Sequence, residues 1–308
     1  MLHGIIPIVF CPFMPDGSID EVSLRRVVRF ELDGDCDAIG VNGFATEAYK
    51  LSEAERIRCA EIVVDEVGDA VPLVIGIAPG STEVAIQQAK SMARFQPAAL
   101  MTLPPGTMQY DESALVDYYV DLGNAADAPI MIQQSPHYPG FSATRLPIES
   151  MAEIADRCQN VRYFKIEGPG SAERIGGLRK LVGDQVALFG GVGGIALQAE
   201  LKQGAAGLLP GVGFNEYFVR VWKAWTAGDY DTANLILTEL QPLVEAVSGK
   251  GHEYSLHVRK YLMQRAGYID HVTVRRPTVD VPQAELEPIG ALADKLDLRI
   301  SRQDTTGR

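Results

Sequence analysis

The chain has nine lysines, and one of them stands apart by its neighbours. Lys165 lies in Val161-Arg162-Tyr163-Phe164-Lys165-Ile166-Glu167-Gly168, an apolar run that ends in a Gly-Pro-Gly turn. Most of the others lie in charged, helix-like segments, where a solvated cation is expected. An amine kept among apolar neighbours loses hydration, which disfavours the ammonium and exposes a neutral nucleophile. Such an amine attacks a ketone to give an iminium, an electron sink for chemistry at the next carbon. The same pattern fits a lysine paired with Glu167, two residues on and on the same face of the strand.

Either use needs a strand that carries Lys165 into a protein interior. Eight short apolar runs are present, at 5–10, 38–43, 72–77, 98–103, 129–133, 161–166, 186–190 and 206–209. Near-continuous apolar strands buried on both faces belong to a parallel sheet. Amphipathic segments lie between them. The one opened by Ser52-Glu53-Ala54-Glu55 has a serine cap and acids in its first turn. Eight strand–helix alternations predict an α/β fold, a (β/α)8 TIM barrel, whose reactive groups sit at the C-terminal strand ends. After about residue 212 only helices are expected, at 216–227, 230–247, 252–267 and near 288–296. We therefore expect a barrel over 1–225, a helical region over 226–308, and a polar tail at 301–308 that frays.

Composition narrows the field. Of the 308 residues, 46% are hydrophobic and 22% charged, which suits a large core and not a disordered chain. A net charge of −12 opposes nucleic-acid or anionic-membrane partners. The four cysteines form no C-x-x-C pair, and the five histidines have no metal-site spacing. The N-terminal run lacks the plan of a signal peptide, and no stretch approaches the ~18 apolar residues of a membrane span. The expectation is a cytoplasmic enzyme with free thiols.

Taken together, the strand ends resemble the dihydrodipicolinate synthase / N-acetylneuraminate lyase family over nearly the full length. Gly43-Phe44-Ala45-Thr46-Glu47 stands where that family has G-T-T-G-E. Leu51-Ser52-Glu53-Ala54-Glu55-Arg56 matches L-S-x-x-E-R, and Phe164-Lys165 stands where the family carries its Schiff-base lysine. The resemblance implies a class I aldolase-type lyase, commonly homotetrameric, with a C-terminal helical region. The departures are specific. Strand five ends Gln133-Gln134-Ser135-Pro136 instead of Y-N-x-P, whose tyrosine relays protons. Pro104-Pro105-Gly106 replaces P-Y-Y, Phe44 and Ala45 replace paired threonines, and Tyr138 replaces a substrate-gripping arginine. Glutamine has no titratable proton near neutral pH. Synthase chemistry is thus not expected. The Q-x-x-P end, the Tyr163–Glu167 strand and the Arg275-Arg276-Pro277 region are similar to a subgroup, the 2-keto-3-deoxy-L-arabonate dehydratases.

On that resemblance the expected catalytic residues are Lys165, Glu167 and Glu47. Lys165 forms the iminium, and either carboxylate helps proton transfer. A loop or helix-dipole role for Glu47, and a structural one for Glu167, stay open. Ala45 and Thr46 are expected to offer backbone N–H groups and the Thr46 hydroxyl to a substrate carboxylate. Gln133, Gln134 and Ser135 bond substrate hydroxyls or form a self-satisfied cluster. Gly191, in a glycine-rich loop without the P-loop Lys-Ser/Thr pair, leaves room for substrate. His137 is read as a packing or solvated residue. No metal or organic cofactor is expected. The substrate is a small 2-oxo acid of the keto-deoxy sugar-acid type. Readings still open are a pyruvate-dependent aldolase or a dihydrodipicolinate synthase-like enzyme of the same family, a deaminase, and a barrel that binds 2-oxo acids without catalysis.

Overall fold

The computed structural model describes residues 1–106 and 108–301. Eight parallel strands alternate with helices as a (β/α)8 barrel, and further helices follow as a C-terminal extension. The strands are β1 (Gly4–Ile5), β2 (Ile39–Val41), β3 (Leu73–Ile77), β4 (Ala99–Thr102), β5 (Ile130–Gln134), β6 (Val161–Ile166), β7 (Ala187–Gly190) and β8 (Gly207–Leu208). The helices are α1 (Glu21–Leu32), α2 (Glu53–Val67), α3 (Thr82–Ala93), α4 (Glu112–Ala125), α5 (Ile148–Arg157), α6 (Ser171–Val182) and α7 (Leu197–Lys202). They continue as α8 (Asn215–Thr226), α9 (Tyr230–Ser248), α10 (His252–Arg265) and α11 (Gln283–Lys295). All eight expected strands are present. By compactness the chain divides into one unit of 1–6 with 72–209 and another of 7–71 with 210 onward. The expected boundary at 225/226 follows the eightfold alternation, whereas compactness cuts along a different line.

In the first unit seven strands hydrogen-bond side by side in the order β1-β8-β7-β6-β5-β4-β3. Every residue of β3, β4, β5 and β7 is buried, as two-faced burial of a parallel sheet requires. The register places Gln133 of β5 beside Lys165 of β6, and Lys165 beside Phe189 of β7. Strand β1 is shorter than the expected 5–10. Ile6 still donates its N–H to Leu208 O at 2.9 Å, but Pro7 has no N–H with which to continue the ladder.

In the second unit the chain resumes at Ile8, which makes two isolated parallel bridges, to Gly40 and to Gly211. A Cβ on Gly40 would collide with the Ile8 side chain, so the close approach depends on glycine. The cap read from Ser52-Glu53-Ala54-Glu55 is a full capping box: the Ser52 hydroxyl accepts from Glu55 N–H, and the Glu55 carboxylate accepts from Ser52 N–H. Helix α11 starts five residues before the expected 288. Pro282 occupies its N-cap, and the helix runs through Pro288 despite the missing N–H. Of the tail expected to fray, 302–308 lie outside the described residues. Among the described residues no helix is long and apolar enough to cross a membrane. The four cysteines are buried and free.

Glu31 of α1 is a buried acid that holds the turn after β8. It accepts from Gly213 N–H at 3.2 Å and from Asn215 Nδ2 at 2.9 Å. Burial pushes its carboxyl up to about 7, although those bonds oppose the shift. A carboxyl raised in the folded state stabilises below its unfolded value and loses that contribution as pH climbs through the folded one. Stability should therefore fall from about pH 4.5 to 7. The contribution of Glu31 is on the order of 3 kcal/mol, and Glu31→Gln should flatten the slope of denaturant unfolding against pH.

Candidate active site

Strand alternation assembles the site. On β6, Lys165 and Glu167 share a face, and the paired register sets Gln133 and Ser135 of the β5 end on the same side. Lys165 and Glu167 are each 5% exposed. Lys165 Nζ stands 3.2 Å from Glu167 Oε1. The other oxygen, Oε2, accepts from the Ser135 hydroxyl at 2.5 Å and from Gln133 Nε2 at 2.7 Å. Oε1 also accepts from Val192 N–H at 3.1 Å. Burial alone would push the Glu167 carboxyl up. The Lys165 ammonium, then Ser135, Gln133 and Val192, outweigh it and hold the carboxyl at about 2. The arrangement is an ionised carboxylate, dry and fixed by four partners, against a primary amine.

Gly191 explains how so large a group fits. A Cβ there would run into the Glu167 carboxylate, so the space Gly191 leaves is occupied by Glu167. The sequence had suggested room for substrate at that point. Gln134 takes the alternate direction. Its Oε1 accepts from Leu146 N–H at 3.0 Å, away from the Lys165 cluster.

The other expected site residues belong to the second unit. Thr46 N–H donates to Gly43 O at 3.2 Å and its hydroxyl to Val9 O at 2.6 Å, so both donors are engaged inside the unit. Ala45 is the half-buried residue before it. Glu47 has a left-handed backbone, with φ of 59°. Its buried carboxylate meets Lys260 Nζ at 2.6 Å, Lys50 Nζ at 3.2 Å and Arg275 N–H at 3.2 Å. Lys260 departs from the solvated helix face expected of most lysines. It is fully buried, donates also to Thr273 O at 2.8 Å, and burial holds it below the ordinary lysine range against the pull of Glu47. This is a structural ion pair. Lys260→Met should leave Glu47 buried without its main partner and cost about 3–5 kcal/mol. The double variant Lys260→Met/Glu47→Leu should cost less than the single one in denaturant unfolding.

Beside Glu31, a second buried acid escaped sequence reading. Glu200 on α7 is 1% exposed and accepts from the Ser171 hydroxyl at 2.6 Å. A Cβ on Gly190 would strike its carboxyl, so Glu200 lies directly against β7. Burial first, with Glu167 adding to it, raises that carboxyl to about 7 despite the Ser171 bond, and it steepens the same fall of stability with pH as Glu31. The adjacent glycines at 190 and 191 are visible in the sequence, but that Glu200 and Glu167 pack over them is not.

The chain belongs to the dihydrodipicolinate synthetase family, whose model matches residues 1–295. It is 28% identical over 304 residues to an L-2-keto-3-deoxyarabonate dehydratase of Azospirillum brasilense, covering 96% of each chain. It is 24% identical to a 4-hydroxy-tetrahydrodipicolinate synthase of Bartonella bacilliformis, covering 94% of this chain and 97% of that one. Among solved structures, the dihydrodipicolinate synthase of Aquifex aeolicus superposes with a TM-score of 0.88 at 19% identity, over 98% of this chain and all of that one. These are likenesses in fold and family, and the chain is a lyase of that family.

Proposed function

We propose that this protein is a Schiff-base dehydratase of a 2-keto-3-deoxy sugar acid, of the 2-keto-3-deoxy-L-arabonate type. The observation that carries the reading is the Glu167 carboxylate, clasped by Ser135 and Gln133 at 3.2 Å from the Lys165 amine. The family's usual tyrosine position at the end of strand five is here Gln133, which cannot relay a proton. The name of the Azospirillum relative points the same way.

In this mechanism Lys165 attacks the C2 ketone, and water leaves to form the iminium. Glu167 takes a proton from C3, and the electron pair neutralises the nitrogen as the enamine. Loss of that positive charge removes the strongest influence lowering Glu167, so the carboxyl holds its proton at this stage and no earlier. The enamine then expels the C4 hydroxyl, which takes the proton and leaves as water. Tautomerisation and hydrolysis release 2-oxoglutarate semialdehyde and the free lysine. Gln133 and Ser135 orient Glu167, and Ser135 is placed to carry its proton. We assign Ala45 and Thr46 to the loop that faces the substrate carboxylate and Glu47 to holding that loop. The reading needs no metal or organic cofactor and suits a cytoplasmic homotetramer.

Product analysis with 2-keto-3-deoxy-L-arabonate tests it. The semialdehyde without pyruvate is expected. Release of pyruvate would make the protein an aldolase, and no turnover with any keto-deoxy acid would leave a binding barrel.

A further inference from the structure

The proposed base, Glu167, lies between two segments of backbone that do not stiffen themselves. The chain leaves β6 through Gly168 and Gly170, both left-handed at φ of 85° and 77°, and enters α6 at Ser171. Neither glycine has a side chain with which to fix the turn. On the other side, Val192 gives its N–H to Glu167 Oε1. Val192 is a β-branched residue at φ of 48°, a conformation such residues resist, and glycines stand on both sides of it. Both segments need an external anchor if the Glu167 carboxylate is to stay in place.

Glu200 touches both. Its Oε1 accepts from the Ser171 hydroxyl at 2.6 Å, just beyond the glycine turn. A Cβ on Gly190 would come within 1.8 Å of its Oε2, just ahead of Val192. A Cβ on Gly191 would come within 2.0 Å of Glu167 Oε1, so the two carboxyls lie over consecutive residues where β7 ends. Glu200 is itself fixed. It is 1% exposed, its N–H donates to Ala196 O at 3.0 Å, and its carbonyl accepts from Ala205 N–H at 3.0 Å. An enclosed, anchored carboxyl thus spans the start of α6 and the end of β7, the two segments between which Glu167 sits.

We infer that Glu200 is a positioning residue: through Ser171 and Gly190 it sets the Glu167 carboxylate where a C3 proton can be taken. The inference rests on the reading of Glu167 as the base, and it gives Glu200 no contact with substrate. Without the brace Glu167 drifts, and a misplacement of about 1 Å costs on the order of 10²-fold in rate.

Exchange of the pyruvate methyl protons in deuterated water reads that one step. Lys165 forms the iminium, Glu167 removes a proton from C3, deuterium returns in its place, and proton NMR follows loss of the methyl signal without any dehydration. Glu200→Ala should slow exchange about tenfold or more, while the half-saturating pyruvate concentration changes less than about twofold. Glu200→Gln keeps an acceptor for Ser171 and the same bulk over Gly190, and should return the rate to within about threefold of the unaltered enzyme. Ser171→Ala cuts the brace at its other end and reads it independently should the larger truncation unfold the chain. It should also slow exchange, and Glu200→Ala/Ser171→Ala should be no slower than Glu200→Ala. Borohydride trapping of pyruvate at Lys165 should stay complete throughout, which shows folded protein and an intact amine. Glu167→Gln separates the inference from the reading beneath it. Slow exchange in Glu167→Gln, with full-rate exchange in trapped Glu200→Ala and Ser171→Ala, overturns the inference and leaves Glu167 as the base. Glu200→Gln as slow as Glu200→Ala overturns it too, because charge and not position would then matter. Full-rate exchange in Glu167→Gln removes both.

Discussion

Lys165→Ala should give no borohydride-trapped adduct with pyruvate or with a keto-deoxy acid, and turnover should drop at least about 10³-fold. The loss is that large because, among the described residues of the first unit, Lys165 is the one buried lysine. The second buried lysine, Lys260, is already bound to Glu47 and to Thr273 O in the other unit. Intact-mass spectrometry after reduction reads the result directly. The alanine variant also leaves Glu167 without its counter-ion in a dry site, a change that destabilises by about 3–5 kcal/mol. Unfolding measurements must therefore accompany the activity assay, and Lys165→Arg supplies a folded control with the charge and without the nucleophile. An adduct at full yield in a folded Lys165 variant would end the Schiff-base reading.

Glu167→Gln should separate the two halves of the reaction. The amine remains, so pyruvate is still trapped. Proton removal from C3 and return to the leaving hydroxyl lose their carrier, and turnover should fall about 10²- to 10⁴-fold. With a keto-deoxy substrate the reduced adduct should keep the C4 hydroxyl, because the dehydration step no longer follows. A Glu167→Gln enzyme with near-normal turnover would move the base elsewhere. The low acid limit of Glu167 also predicts that activity does not decline below pH 6 through protonation of this group, whose carboxyl lies at about 2 while Lys165 is charged.

What the sequence disclosed was whatever a repeating backbone controls. Parallel strands alternate with a period of two, so the spacing from Lys165 to Glu167 already set both on one face. The apolar runs marked all eight strands, and the Ser52–Glu55 box marked the start of α2. What it hid depends on contacts between distant segments. Helix α10 reads as a charged helix, yet it buries Lys260 because Glu47, more than two hundred residues earlier, waits there. Glu200 looks like an ordinary helical acid until Gly190 and Ser171 enclose it. Thr46 has the chemistry of a ligand-binding hydroxyl, but Val9 O takes its proton. Gln133 and Gln134 are identical in type and adjacent, and only register tells which one meets Glu167.

The bare backbone at the end of β7 has a consequence for how such an enzyme can change. Gly190 and Gly191 have no side chains, and a carboxyl fills each gap from elsewhere in the unit. A barrel ordinarily diversifies by rewriting the loops above its strands. Here the first step of any such rewriting, a methyl group at either glycine, would evict an acid on which chemistry or folding relies. New specificity must therefore begin in other loops, and this short stretch acts as a lock on the evolution of the site.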